Sequence, residues 1–91
     1  MVAKKWRLLF SKRAQNDAKR LKKSKLKAKA EELLDIIEAD PLQSPPPVKK
    51  LVGDYTGYYS RRINIQHRLV YAINEADHSI RVISMWHHYN D

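Results

Sequence analysis

The sequence predicts an α+β domain with an N-terminal strand, a two-helix hairpin and then an antiparallel sheet. Two observations lead to this class. Apolar residues recur at helical spacing between residues 11 and 39, and from residue 58 onward they alternate with a period of two. Because the helices and the hairpin-linked strands are segregated along the chain, we expect the helices to pack on one face of the sheet. At 91 residues, the chain is long enough for a single domain over residues 1–91.

A first strand and two helices are predicted in the N-terminal half. The strand covers residues 5–10, where aromatic and leucine side chains alternate with other residues. Ser11 then offers a side-chain oxygen that can cap a helix. The apolar stripes of the two helices are Ala14, Ala18 and Leu21 in the first, and Leu26, Ala30, Leu33, Leu34 and Ile37 in the second. The second helix is expected to end at about residue 39, since the residue before Pro41 disfavours helix.

Residues 40–48 are a proline-rich connection inside the domain, and strands follow it. The run Pro45-Pro46-Pro47 favours an extended, stiff backbone. Beyond it, β-branched and aromatic residues dominate. The expected strands are residues 58–63, 67–73 and 79–87, with a tight reversal at Ile65-Gln66 and a turn at 74–78.

The positive charge is concentrated in the first third of the chain. The net charge is +8, and residues 1–30 carry twelve Lys and Arg against one acidic residue. A field of this sign attracts nucleic acid, but an acidic protein partner satisfies it equally, and a solvated lysine face needs no partner. The candidates for sequence-independent phosphate contacts lie on the two helices and between them: Lys19, Arg20, Lys22, Lys23, Lys25, Lys27 and Lys29.

Residue types and spacing argue against several kinds of site. The chain has no cysteine, hence no disulfide or thiolate metal site. His87 and His88 are neighbours on a predicted strand, so they point to opposite faces and cannot share a metal. A glycine-rich phosphate loop is missing, as is a nucleophile motif. Apolar runs fall short of the roughly 20 residues that span a bilayer. We therefore expect no metal, no cofactor, no membrane contact and a cytoplasmic location.

The remaining chemistry lies in cationic and aromatic residues on the strands: Arg61, Arg62, Arg68, His88 and Tyr89. Arginine binds phosphate with two parallel hydrogen bonds, histidine exchanges a proton near neutral pH, and tyrosine stacks on bases. Cleavage of RNA by its own 2′-hydroxyl needs a base, a cation beside the phosphate and an acid for the leaving oxygen. Taken singly, each of these residues is also compatible with an ordinary solvent-facing strand position.

The same residues resemble the YoeB/Txe family of toxins, within the RelE-like superfamily of toxin–antitoxin ribonucleases. The resemblance is carried by Ser60–Asn64, Gln66–Tyr71 and His88-Tyr89, with support from Leu51–Gly57. It covers about residues 47–73 and 85–89, whereas the helical half matches only in length, order and charge. It implies a RelE-like fold and an endoribonuclease that cuts messenger RNA in the ribosomal A site without a metal, which inhibits translation.

By the same resemblance, Arg68 stabilises the scissile phosphate and His88 is the general acid. Tyr89 stands beside that acid, and Arg62 is a second phosphate contact. Strand parity complicates the last assignment. A tight turn places Arg61 on the face of Arg68, whereas a bulge or a longer loop places Arg62 there. Both arginines therefore remain candidates.

Lys49 stands where the family commonly has a glutamate that acts as the general base. A lysine is normally protonated at pH 7 and cannot accept a proton. Three alternatives remain open. Nearby cations favour the neutral amine, so that Lys49 is a base; or Lys49 holds phosphate while solvent or the ribosome activates the hydroxyl; or the substitution abolishes activity. Lys50 is a further phosphate-binding candidate.

The resemblance also implies partners. These are a cognate YefM/Phd-like antitoxin, the ribosome with its messenger RNA, operator DNA through the antitoxin complex only, and a possible second copy of the chain. Two alternatives to a nuclease remain. One is an inactive toxin that still binds antitoxin and RNA, and the other is an RNA-binding domain without chemistry.

Overall fold

The computed structural model describes residues 5–86, in which two helices cover one face of a five-stranded sheet. A 3₁₀ turn at Gly53–Tyr55 follows the second strand. In chain order the elements are β1 (Arg7–Phe10), α1 (Lys12–Lys22), α2 (Lys27–Ala39), β2 (Lys49–Lys50), β3 (Tyr58–Arg62), β4 (Arg68–Asn74) and β5 (Ser79–Ser84). The predicted α+β class, with its strand, helix pair and later strands, is confirmed.

The sheet has the order β1-β5-β4-β3-β2 and is mixed rather than wholly antiparallel. The pairs formed by β2 to β5 are antiparallel, whereas β1 runs parallel to β5, with Leu8 opposite Ile80. The difference has a simple cause. A strand whose neighbour in the sheet lies far along the chain is not tied to it by a hairpin, and intervening helices permit a parallel crossover.

Ser11 joins the first strand, the first helix and the last strand. Its hydroxyl oxygen accepts a hydrogen bond from the Ala14 N–H at 3.0 Å, as the predicted helix cap requires. The same hydroxyl donates to the Ile83 carbonyl at 2.7 Å. A cap of this kind stabilises a helix by about 1 kcal/mol, and here it also fixes α1 against β5.

The core lies between the helices and the inner face of the sheet. Its fully buried members include Leu33 and Ile37 from α2 and Tyr71 and Val82 from the central strands. The Asp17 carboxylate on α1 is buried with them, and it accepts a hydrogen bond from the Met85 N–H at 3.0 Å.

Several element boundaries differ from the prediction. The two-residue β2 has no alternating pattern long enough to reveal it, and pairing with β3 creates it. The last strand ends at Ser84 rather than at residue 87, and residue 87 lies outside the described range. Within residues 5–86 the longest helix, α2, has 13 residues, and no helix is long and apolar enough to cross a membrane.

Candidate nucleic-acid interface

A groove of about 680 Å³ opens where β2, the β3–β4 hairpin and the end of the proline-rich segment meet. We call it the basic groove. Its charged lining residues are Lys29, Lys49, Arg62 and Arg68. Among residues 5–86 no acidic side chain lines it, so the described lining is positively charged and suits a phosphate backbone.

Strand pairing explains how these side chains meet. Lys49 on β2 lies opposite Ser60 on β3, and Arg62, two residues further on β3, lies opposite Arg68 on β4. Residues two apart on a strand share a face, as do directly paired residues. Lys49, Arg62 and Arg68 are therefore brought to one face of the sheet, although they come from three strands.

The β3–β4 loop decides which arginine reaches this face. It comprises residues 63–67 and is closed by a hydrogen bond from the Ile63 N–H to the His67 carbonyl at 2.8 Å. The side-chain oxygen of Asn64 accepts the N–H groups of Gln66 at 2.8 Å and His67 at 2.7 Å. This longer loop, rather than a tight reversal at Ile65-Gln66, sets Arg62 opposite Arg68.

Arg68 is the least exposed of the four groove cations. Its side chain is half-buried, and one Nη donates to the Ser60 hydroxyl at 3.1 Å. Ser60 is itself buried, so it orients the guanidinium from below. Arg62 and Lys49 are exposed. The arrangement combines one oriented guanidinium with two accessible cations, which is suited to holding a phosphodiester.

Arg61 lies on the opposite face of β3 and is 1% exposed. Its Nη atoms donate to the carbonyl oxygens of Pro41 at 3.1 Å, Gln43 at 2.8 Å and Pro46 at 2.8 Å. Its Nε donates to the Tyr71 hydroxyl at 3.1 Å. These internal contacts leave the side chain no access to a phosphate in solution, so the pair of candidate arginines is narrowed to Arg62.

Tyr71 completes this buried network. Its hydroxyl donates to the Pro41 carbonyl at 2.6 Å while it accepts from Arg61. Burial raises the pKa of Tyr71 above its ordinary value of 10.0, and the neighbouring Arg61 charge opposes part of that rise. The phenol therefore stays neutral and keeps its proton for Pro41.

The other predicted contacts lie outside the basic groove. Lys50 is exposed but follows Lys49 on the strand, so it points to the other face. A separate exposed surface lies at the C-terminal end of α1. We call it the α1 surface, and it comprises three residues of the last turn and the C-cap residue: Lys19, Arg20, Lys22 and Lys23.

Two of the predicted catalytic residues, His88 and Tyr89, lie outside the described residues. Two polar groove residues were missed as candidates: Ser60 and Asn64. Ser60 was detectable in principle because it lies two residues before Arg62 on one strand face. Lys29 was expected as a phosphate contact on the helices, but its place in this groove was not, because the sequence does not say how α2 lies against the sheet. Within residues 5–86, no cluster of three or more His, Cys, Asp or Glu residues could hold a metal ion.

Comparison with known proteins finds one matching family model, described as YoeB-like toxin of bacterial type II toxin–antitoxin system, over residues 10–89. A curated relative, the toxin YoeB of Synechocystis sp., is 43% identical over 75 residues. That alignment covers 82% of this chain and 78% of the relative.

Solved structures show the same likeness. The YoeB dimer from Staphylococcus aureus superposes with a TM-score of 0.80 at 37% identity, covering 96% of this chain and 100% of that one. The YoeB–YefM complex from the same organism gives a TM-score of 0.78 at 36% identity, covering 92% of this chain and 98% of that one.

Proposed function

The chain belongs to the family of YoeB-like toxins of bacterial type II toxin–antitoxin systems, and from this premise we propose that it is an endoribonuclease. It cuts messenger RNA in the ribosomal A site and thereby stops translation. The observation that carries the proposal is the basic groove. Arg62, Arg68 and Lys49 converge there from three strands, and in the part of the chain that the structure describes no acidic residue joins them in the lining.

In the proposed reaction, the 2′-hydroxyl oxygen of the RNA attacks the adjacent phosphorus atom while a base takes its proton. The bond from phosphorus to the 5′-oxygen breaks, and an acid protonates that oxygen as it leaves. Negative charge grows on the non-bridging oxygens between these events. Arg62 and Arg68, the latter held by Ser60, stabilise that charge. Stabilising transition-state charge with preorganised groups is usually the largest single contribution to catalysis.

The acid in this scheme is His88, with Tyr89 stacking on a base or contacting phosphate beside it. Both assignments come from the family resemblance. Lys49 stands at the position of the family's general base and faces the same groove as the arginines. It acts as the base, or it binds phosphate while solvent or the ribosome activates the hydroxyl.

A second candidate function follows from Lys49 itself. If the site needs a carboxylate, the chain is an inactive toxin that retains its partners and binds antitoxin and RNA. Its partners in either case are a YefM/Phd-like antitoxin, the ribosome and messenger RNA, with operator DNA reached through the antitoxin. Complexes of a relative with YefM, and its dimer, support this partnering and a second copy of the chain. The α1 surface supports docking on ribosomal RNA.

The test is a cleavage assay on ribosomes programmed with a defined messenger RNA, with the new 5′ ends mapped. The protein and its Lys49→Glu variant are compared, each with and without ribosomes. Cleavage by both on ribosomes supports the nuclease with a carboxylate-free site. Cleavage by Lys49→Glu alone supports the inactive toxin. Absence of cleavage by both, with ribosome binding intact, overturns the nuclease proposal.

A further inference from the structure

The largest fully buried side chain among the described residues is a cation, Arg61. Burying a charge is costly unless polar groups replace its water. Here the replacement comes from three main-chain carbonyl oxygens and the Tyr71 hydroxyl rather than from a carboxylate. All three carbonyls belong to residues 41–46, so a single guanidinium holds both ends of that stretch.

Regular secondary structure does not hold this segment in place. Residues 41–48 contain no helix or strand, so their carbonyl groups have no partners from regular secondary structure. Four of the eight residues are proline, which has no N–H to donate. Buried carbonyls need donors, and the planar fork of arginine supplies several from one side chain.

The same segment forms one wall of the basic groove. Pro46, Pro47 and Val48 line it, and the chain then enters β2 with Lys49. That strand has only two residues and lies at the sheet edge. After this two-residue pairing with β3, the next hydrogen bond joins the Leu51 N–H to the Tyr58 carbonyl at 2.9 Å. The position of Lys49 thus depends on how firmly the segment before it is held.

We propose that Arg61 is a positioning residue. It fixes the proline-rich segment to β3 and so sets the distance between Lys49 and the groove arginines. We call Arg61 with its hydrogen bonds to the segment the clamp. Arg61 and Arg62 are consecutive on β3, so the clamp and the proposed phosphate contact are fixed to the same strand backbone. The catalytic consequence rests on the proposed nuclease function, whereas the mechanical claim does not.

Hydrogen exchange of the Leu51 amide tests the mechanical claim, since this amide reports on opening of the β2 edge. Two variants are compared with the wild-type protein. Arg61→Lys keeps the charge but loses the fork, and Tyr71→Phe keeps the guanidinium but loses the phenol hydroxyl. Ile80→Val is the control, because it weakens the buried core on β5 without touching the segment.

Arg61→Lys removes at least one hydrogen bond that stabilises the closed state and is absent from the open state. Exchange of the Leu51 amide is therefore expected to become about tenfold faster or more. Tyr71→Phe gives a smaller acceleration, since the bonds to Gln43 and Pro46 remain. Ile80→Val speeds the amides of β4 and leaves Leu51 unchanged. Unchanged Leu51 exchange in Arg61→Lys, or equal acceleration in Ile80→Val, overturns the clamp.

Kinetics on programmed ribosomes test the catalytic consequence. Loss of the clamp displaces Lys49 but leaves Arg62 and Arg68 in position. Arg61→Lys is therefore expected to lower kcat by about tenfold, the scale of a small misplacement of a reacting group, and to change KM little. Equal kcat in wild type and variant contradicts the proposal. If the wild type itself does not cleave, the nuclease proposal fails, and the exchange rates still decide the clamp.

Discussion

The two faces of β3 put the same residue type to opposite uses. Arg61 points inward, is buried and donates to main-chain carbonyls, whereas Arg62 points outward, is exposed and lines the basic groove. Both carry a permanent positive charge. The two residues differ in the face of β3 that they occupy. The length of the β3–β4 loop determines that Arg62, rather than Arg61, lies opposite Arg68.

The surroundings of a cation, rather than its presence, decide what it does. A buried guanidinium surrounded by carbonyl groups contributes to stability and cannot meet a phosphate. An exposed one contributes little to stability and is available to a ligand. The two arginines should therefore separate cleanly in experiments that measure stability and activity on the same variants.

The largest effect is expected on the groove face. Arg68→Ala removes a guanidinium that Ser60 orients toward the groove, and it should slow cleavage by about 10²–10³-fold, the loss typical of one preorganised transition-state contact. Single-turnover rates on programmed ribosomes measure it. A rate within a factor of about three of wild type would show that the groove is not the reaction site.

The inner face should dominate stability. Arg61→Met removes the donor to the Gln43 and Pro46 carbonyls and to the Tyr71 hydroxyl, while the Pro41 carbonyl keeps only its bond from Tyr71. The change is expected to cost about 3 kcal/mol of unfolding free energy. The matched variant Arg62→Met, one residue along the strand, should stay within about 0.5 kcal/mol. Urea unfolding compares them. Equal losses in the two variants would erase the distinction between the faces.

The α1 surface offers a second contrast with the groove. Replacing Lys19, Lys22 and Lys23 together by alanine should weaken ribosome binding and lower the slope of log affinity against log salt by about 2–3. Cleavage per bound complex should not change, because these residues lie outside the groove. Filter binding at several salt concentrations gives the slope, and a slope equal to that of the wild type argues against docking through α1.

The smallest effect concerns Tyr71 and pH. Folding raises the pKa of this phenol, so its contribution to stability is complete below the unfolded value of 10.0 and is lost as pH rises through the folded value. Tyr71→Phe should cost about 1 kcal/mol at pH 7, and the difference between the two proteins should shrink above pH 10. Thermal unfolding from pH 7 to pH 11 measures it, and a gap that widens above pH 10 has the wrong sign.

Much of the fold was predictable because local patterns determine it. The stripes of α1 and α2 and the cap at Ser11 are properties of short segments. The parallel pairing of β1 with β5 and the existence of β2 are not, since they depend on contacts between distant residues. Neither strand pairing can be inferred from the hydrophobic periodicity of a single segment.

The site was predictable in its residue types but not in its geometry. Arg68 and Arg62 stand out in the sequence, whereas the choice between Arg61 and Arg62 depends on the five-residue loop that Asn64 stabilises. The clamp was invisible because its acceptors are main-chain carbonyls, which any sequence could supply. His88 and Tyr89 remain predictions, since they lie outside the described residues.

Single-turnover cleavage of ribosome-bound messenger RNA by the wild type and Arg62→Gln, with unfolding free energies for both, shows whether the exposed face of β3 is catalytic. We expect the wild type to cleave, Arg62→Gln to cleave about 10²-fold more slowly, and the two proteins to be equally stable. Cleavage by Arg62→Gln at the wild-type rate would contradict the assignment of the exposed face of β3 to catalysis.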